Sequence, residues 1–241
     1  MSDDPARHRP ADHVPRTPTT LSRDEVRAFY DAFGAKQDRQ GLYEDAATSL
    51  LVARGDFDRA RAVFEFGCGT GRFAEELLAR HLSAEALYRG CDLSTTMVGL
   101  ARARVARFGG RVGVDLSDGS MNLQAVDGAY DRFVCNYVFD LLSPDDIAAL
   151  LREAWRILAP EGLLCLCSLT HGPRLVSHMI SRAWELVHRF RARLVGGCRP
   201  IELLDFVSAP AWEVGYRDVV TRLGLSSEVL VAARSGASPA A

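Results

Sequence analysis

Short, nearly all-apolar runs alternate along the chain with stretches whose apolar positions recur every three or four residues. The runs are Ala62-Val63-Phe64-Glu65-Phe66, Leu87-Tyr88-Arg89-Gly90-Cys91, Val112 to Leu116, Arg132 to Val138, and Leu163 to Cys167. Phe73, Leu77 and Leu78 make a helical pattern after the first run, and Ser94 caps a helix that runs to Phe108 after the second. After the fourth run, Ser143-Pro144-Asp145-Asp146 supplies a cap, a proline at the first helical position and an acidic first turn. That helix directs Ile147, Leu150, Leu151, Ala154 and Leu158 inward. Strands alternating with helices, each strand apolar on both faces, predict a parallel sheet covered on both sides. Pro160-Glu161-Gly162 turns the chain into the fifth strand, with the positive φ expected at Gly162.

The flanks have other patterns. Ser22 caps a helix with Val26, Phe29, Tyr30 and Phe33 on one face, and a second helix covers about Tyr43 to Arg54. Beyond the fifth strand, Val176, Met179, Ile180, Ala183, Trp184, Val187, Phe190 and Leu194 lie opposite His178, Arg182, Glu185, Arg189 and Arg193. This is a long amphipathic helix. Its arginine face reads as a solvated surface; the alternative is an interfacial helix suited to a lipid-like acceptor. Strand-like runs at about Trp212–Leu223 and Glu228–Ala233 close the pattern. Residues 1–20, with four prolines, and residues 235–241 read as disordered tails, leaving 21–234 as one domain.

Composition narrows the classes. A chain of 241 residues, 48% hydrophobic and 25% charged, falls in the globular range, which excludes collagen, coiled-coil and wholly disordered readings. The net charge of −2 gives no global attraction to nucleic acid, and the basic residues (all arginine except Lys36) are scattered. Six cysteines form no C-x-x-C pair and read as buried thiols in a reducing compartment, with no metal site. No apolar run approaches the ~20 residues of a membrane span, so the expectation is a soluble, cytoplasmic protein, monomer or homodimer, with no integral membrane segment.

The glycine-rich turn after the first strand, Gly67-Cys68-Gly69-Thr70-Gly71, is the chemical signal, because parallel sheets bind ligands at the carboxyl ends of their strands. A phosphate-binding P-loop needs Gly-Lys-Ser/Thr, but Gly71 is followed by Arg72 and Phe73. A dinucleotide fingerprint needs glycine where Arg72 stands. A third class, S-adenosylmethionine, has a ribose, an adenine and an amino-acid end but no pyrophosphate. Asp92, at the end of the second strand, can accept from both hydroxyls of a ribose.

With Glu65-Phe66 before the glycines and Cys91-Asp92-Leu93-Ser94-Thr95-Thr96-Met97 after the second strand, the chain from about Glu25 to Ala233 resembles class I S-adenosylmethionine-dependent methyltransferases. It is most similar to the small-molecule branch with the ubiquinone/menaquinone-type enzymes. Asp118-Gly119, Tyr130 to Tyr137 and Leu158 to Gly162 extend the match. The resemblance implies an α/β, doubly wound, mostly parallel seven-stranded sheet with one antiparallel strand among the last two. It implies S-adenosyl-L-methionine as cofactor and S-adenosyl-L-homocysteine as product, with a small-molecule methyl acceptor.

Carried onto this chain, Gly67, Gly69 and Gly71 line the methionine moiety, with Cys68 contributing backbone and Glu65 holding the loop or touching ligand. Asp92, with Leu93 beside it, takes the ribose; Met97 packs by the nucleoside; Asp118, followed by Gly119, accepts from the adenine amino group. Asn136 ends the fourth strand below the methyl group. Residues 21–60, bearing Tyr30 and Tyr43, lie where relatives place a lid, and 172–200 form an insert where acceptor specificity is expected. His171, after the fifth strand, and Tyr137 or Asp140, after the fourth, are the candidate bases; solvated or packing roles are their bland readings. A catalytically silent, cofactor-binding or regulatory protein is the alternative function.

Overall fold

The computed structural model describes residues 20–236, 238 and 239; most of the two expected tails lies outside the described residues. Seven strands form one sheet: β1 Ala62–Phe66, β2 Leu87–Asp92, β3 Val112–Leu116, β4 Tyr130–Asn136, β5 Leu158–Thr170, β6 Trp212–Arg222 and β7 Leu225–Arg234. Their order is β3-β2-β1-β4-β5-β7-β6. The first five strands are parallel, while β7 runs antiparallel between β5 and β6. A two-residue hairpin forces that reversal: Leu223 and Gly224 both take positive φ (53° and 84°), the geometry that matches the strands' right-handed twist.

The all-apolar strands are apolar because each faces two layers. Phe64, Phe66, Phe133, Cys135, Leu164 and Leu166 point to the side packed by α5 (Pro144–Ile157). Val63, Val134, Cys165 and Cys167 point to the side covered by α2 (Gly41–Arg54), α3 (Arg72–Arg80) and α4 (Thr95–Val105). The three serine caps are in place: Ser22 on α1 (Arg23–Phe33), Ser94 on α4 and Ser143 on α5 each accept from an amide of the first turn. No described helix is long and apolar enough to cross a membrane.

The structure corrects four sequence-based expectations. The fourth strand stops at Asn136, two residues early, because Tyr137 enters the left-handed region (φ 55°) and donates its amide to the Cys167 carbonyl at 2.8 Å. The positive φ before β5 falls on Glu161 (63°), not Gly162. Gly162 is needed for space instead, since a Cβ there would lie 2.9 Å from the Ala159 carbonyl oxygen. Among the described residues the roof of the site is built by α1, its approach at 20–21 and Gln37 of the following turn, because α2 buries Ala47, Thr48 and Leu51 against the sheet and is a core layer rather than a lid. The insert helix α6 (Leu175–Arg191) turns Ser177, Ser181 and His188 inward and leaves Val176, Met179, Val187 and Phe190 exposed.

The Glu161 geometry gives a direct test. A left-handed L-residue costs ~1–2 kcal/mol, offset by ~0.5–1 kcal/mol of extra chain entropy when glycine replaces it. Glu161→Gly is therefore expected to stabilise by up to about 1 kcal/mol, a rise of roughly 2–4 °C in Tm. A fall in Tm by calorimetry would show that the exposed Glu161 side chain contributes more than its backbone costs.

Candidate active site

The sheet's register brings distant residues to one edge. Phe66 pairs with Cys91 and Glu65 with Val134, so Gly67, Asp92 and Asn136 all emerge at the carboxyl ends of adjacent strands. Strand order reverses here, with β2 on one side of β1 and β4 on the other. The Gly67 and Cys68 amides both donate to the Cys91 carbonyl, at 2.9 and 3.0 Å, which ties the glycine loop to the end of β2. Gly67 has φ 74°, and a Cβ there would meet Val138 Cγ2 at 2.3 Å. Gly71 has φ 76°, and a Cβ there would lie 2.9 Å from Ala101 Cα on α4. The first glycine lets the loop pass the β4 exit; the third lets two helices pack.

Asp92 is half-buried and organises this edge. Its Oδ2 accepts from the Gly69 amide and its Oδ1 from the Ser94 amide, both at 2.9 Å. Burial raises its pKa, while those amides pull the other way. Each carboxylate oxygen keeps acceptor capacity beyond one amide.

A cavity of about 120 Å³ opens between Gly67, Asp92, Leu93, Gly119, Asn136 and Tyr137 below, and Leu21, Val26, Arg27 and Tyr30 of the α1 region above. A second, of about 60 Å³, lies behind the glycine loop against Glu44, Glu65, Cys68, Gly69 and Arg72. The two share Gln37, Gly67, Asn136 and Tyr137 as walls. Asn136 Oδ1 and Nδ2 and Gln37 Oε1 are buried without a hydrogen-bond partner among the described residues, so the junction presents polar atoms that a ligand can satisfy. No side chain caps the first turn of α3, which leaves its amides directed at the loop.

The roof is held by charge. The Asp31 carboxylate accepts from the Ser94 hydroxyl and, at 3.1 Å, from the Thr96 amide. Arg23 reaches Asp146 at 3.2 Å. In the turn 34–40, Asp38 pairs with Arg104 at 2.6 Å and accepts from Thr70 Oγ1 at 2.6 Å, docking that turn on the glycine loop.

Several expected site residues fall elsewhere, or line a cavity while their polar groups are already engaged. Gly71 packs helices and does not line either cavity. Met97 is fully enclosed on α4. Asp118 is exposed and accepts from the Ser120 amide at 2.7 Å, while its neighbours Ser117 and Gly119 form the wall. Tyr43 stands behind Tyr137, ring to ring at 6.3 Å, outside both cavities. His171 faces His178 at 6.0 Å between rings and lines neither cavity, so it is not placed as a base. Tyr137 lines both, but its hydroxyl donates to Ser227 Oγ at 2.8 Å and burial pushes its pKa well above the ordinary tyrosine value. Glu65 is only 2% exposed and accepts from the Tyr88 hydroxyl, holding the strand rather than presenting a free carboxylate.

Arg23, Arg27, Met121, Leu141 and Leu142 are cavity walls that sequence patterns did not single out. Thr20 and Leu21 are walls too, so a domain boundary at residue 20 cuts into the site. Burial raises the thiols of Cys68, Cys91, Cys135, Cys165, Cys167 and Cys198, leaving them protonated and unreactive at neutral pH. Among the described residues no group of His, Cys, Asp and Glu is arranged to hold a metal.

Comparison with known proteins agrees with this edge. Residues 63–162 match the family described as "Methyltransferase domain". The chain is 28% identical over 193 residues to the malonyl-acyl-carrier-protein O-methyltransferase of Halorhodospira halophila, covering 76% of this chain and 62% of that one. It is 29% identical over 163 residues to the demethylmenaquinone methyltransferase of Tropheryma whipplei, covering 64% and 62%. The chain thus spans about three-fifths of the length of each of these curated relatives. Its fold matches an O-methyltransferase family protein from Burkholderia thailandensis with a TM-score of 0.69 at 20% identity, over 91% of this chain and 65% of that one. The matched segment carries the glycine loop, Asp92 and Asn136 on the sheet edge described above, and it is similar to the methyltransferase domain of class I S-adenosylmethionine-dependent methyltransferases.

Proposed function

We propose that this protein binds S-adenosylmethionine across the two joined cavities and moves its methyl group to a small, largely apolar acceptor. The observation that carries the reading is the convergence of Gly67, Asp92 and the unpartnered Asn136 amide on one cavity roofed by α1. Asp92 has acceptor capacity for ribose hydroxyls. Gly67 and Gly69 bring bare backbone to the ligand, and the uncapped start of α3 suits its carboxylate. The cofactor supplies a methyl carbon already activated by its positively charged sulfur.

The chain's remaining task is to align the acceptor atom and exclude water. Leu21, Val26, Met121, Val138, Leu141 and Leu142 give the larger cavity an apolar wall for that purpose. Where the acceptor atom carries a proton and reaches the junction of the two cavities, Glu44 is the candidate base. It lines the second cavity, and burial pushes its pKa up to about 7 against the pull of Arg72. Of the curated relatives' names, demethylmenaquinone agrees with an acceptor of low polarity, whereas a malonyl carrier protein offers a charged carboxylate.

Calorimetry on the purified protein is expected to show one-to-one binding of S-adenosylmethionine or S-adenosylhomocysteine without added metal, and none of NADH. Binding of NADH alone would overturn the reading. Release of S-adenosylhomocysteine against lysate small-molecule fractions then separates an enzyme from a silent cofactor-binding protein.

A further inference from the structure

The insert helix α6 is amphipathic in the wrong direction for a core helix. Its inward side is narrow and polar, with Ser177, Ser181 and His188 buried and Trp184 Nε1 donating to the Cys198 carbonyl at 2.9 Å. Its apolar side faces out: Met179 is 64% and Phe190 76% exposed, and Leu175, Val176 and Leu186 continue the stripe. Gly224 abuts the Ile180 side chain, which sets the exposed Leu223 of the β6–β7 turn beside the same helix. Contiguous apolar surface of this kind marks a partner.

Charge selects which partner. Arg174, Arg182, Arg189, Arg191 and Arg193 face a single acidic residue, Glu185, between positions 174 and 194, in a chain whose net charge is −2. At 100° per residue, Arg182 and Arg189 border the apolar stripe on one side and Arg191 on the other. Arg182 pairs with Glu185 and Arg193 with Glu25, but among the described residues Arg174, Arg189 and Arg191 have no carboxylate partner. A second copy docked face to face would set these arginines against their own duplicates. An anionic lipid surface complements both the stripe and its borders, with arginine stems lying along the apolar boundary and guanidinium groups at the headgroups.

We propose that α6 docks the protein reversibly onto anionic lipid surfaces, lying in the plane of the interface with Met179 and Phe190 inserted. The helix is 17 residues, about 25 Å long, and lies on rather than spans the bilayer. The proposal does not depend on methyl transfer.

Vesicle flotation of the full chain tests it. Binding to phosphatidylcholine vesicles carrying about one-third phosphatidylglycerol is expected to exceed binding to phosphatidylcholine alone by roughly tenfold or more, and to weaken with salt. The double variant Met179→Glu, Phe190→Glu should lose at least about tenfold of that binding while keeping its helical circular dichroism. Arg189→Glu with Arg191→Glu should lose the preference for anionic vesicles. The proposal is overturned if the wild type does not float with anionic vesicles, or if both variants float as it does. It is also overturned if sedimentation finds a dimer that the Met179/Phe190 variant breaks while lipid binding is absent; the occupant is then a second copy.

Discussion

Asp92→Ala is expected to weaken S-adenosylmethionine binding by roughly 30- to 1000-fold, about 2–4 kcal/mol. Two charge-assisted hydrogen bonds to ribose hydroxyls are each worth ~1.5–3 kcal/mol, and water entering the vacated space returns part of the sum. The structure adds a second consequence. The same carboxylate accepts the Gly69 and Ser94 amides at 2.9 Å, so the variant strips an acceptor from the glycine loop and another from the start of α4. Because Asp92 is half-buried and beside a cavity, water can reach both amides. The stability loss should therefore stay near ~1–2 kcal/mol, or roughly 2–8 °C in Tm.

Asp92→Asn is then not simply a milder version. An amide has one acceptor oxygen and a donor nitrogen, so one of the two backbone N–H groups must face an NH₂. Its stability is expected to fall about as far as that of the alanine variant, with cofactor affinity between alanine and wild type. Glu213, exposed on β6 at the far edge of the sheet, is the control carboxylate. Asp24 serves less well, because it pairs with Arg27, a cavity wall. If Asp92→Ala binds within about threefold of wild type, under ~0.7 kcal/mol, the ribose assignment is wrong.

The sheet was legible because its signals are local. Two-faced strands, three serine caps and a proline-led helix each declare themselves within about one helical turn of sequence. The glycine loop and Asp92 were legible for a related reason: a strand end plus a short turn fixes where their backbones go. What the sequence did not reveal depends on contacts between distant segments. Periodicity showed which residues of α6 share a face but not which face finds a partner, and the polar face took the protein side. Asp38 meets Thr70 and Arg104 across 32 and 66 residues, a pairing that no local pattern announces. Around Asp118 the carboxylate closes a turn on Ser120 while Ser117 and Gly119 on either side line the cavity, a division of roles that depends on the turn and not on the local pattern. Tyr137 stays in the cavity wall, but its own left-handed backbone, which no sequence rule would place on a tyrosine, ends β4 two residues early.

The stability of the cofactor-free protein is expected to fall as pH rises from about 5 to about 8, and Glu65 is a principal cause. Its carboxyl is enclosed beneath the second cavity, and burial pushes its pKa up to about 7 from an ordinary value of 4.5, although the Tyr88 hydroxyl favours the ionised form. Burial does the same to Asp140, pushed up to about 7 against the Leu169 amide and the Arg199 guanidinium. A group whose folded pKa is raised binds its proton more tightly in the native state. The stability it contributes is complete below the unfolded pKa and is lost as pH climbs through the folded one.

The lowered carboxyls do not mask this window. Asp31, Asp38 and Glu153 are held down by hydrogen bonds and arginines, so their contribution is present above the ordinary carboxylate range and is lost only in more acidic solution. Glu65→Gln keeps an acceptor for the Tyr88 hydroxyl and removes the ionisation. At pH 8 it should be more stable than wild type by on the order of 1–3 kcal/mol, roughly 2–12 °C in Tm. At pH 5, where wild-type Glu65 is already largely protonated, the two should nearly coincide. Tm measured across pH for wild type, Glu65→Gln and Asp140→Asn decides the matter. Parallel curves would mean that Glu65 and Asp140 keep ordinary pKa values in the folded protein, and that water from the second cavity solvates the Glu65 charge.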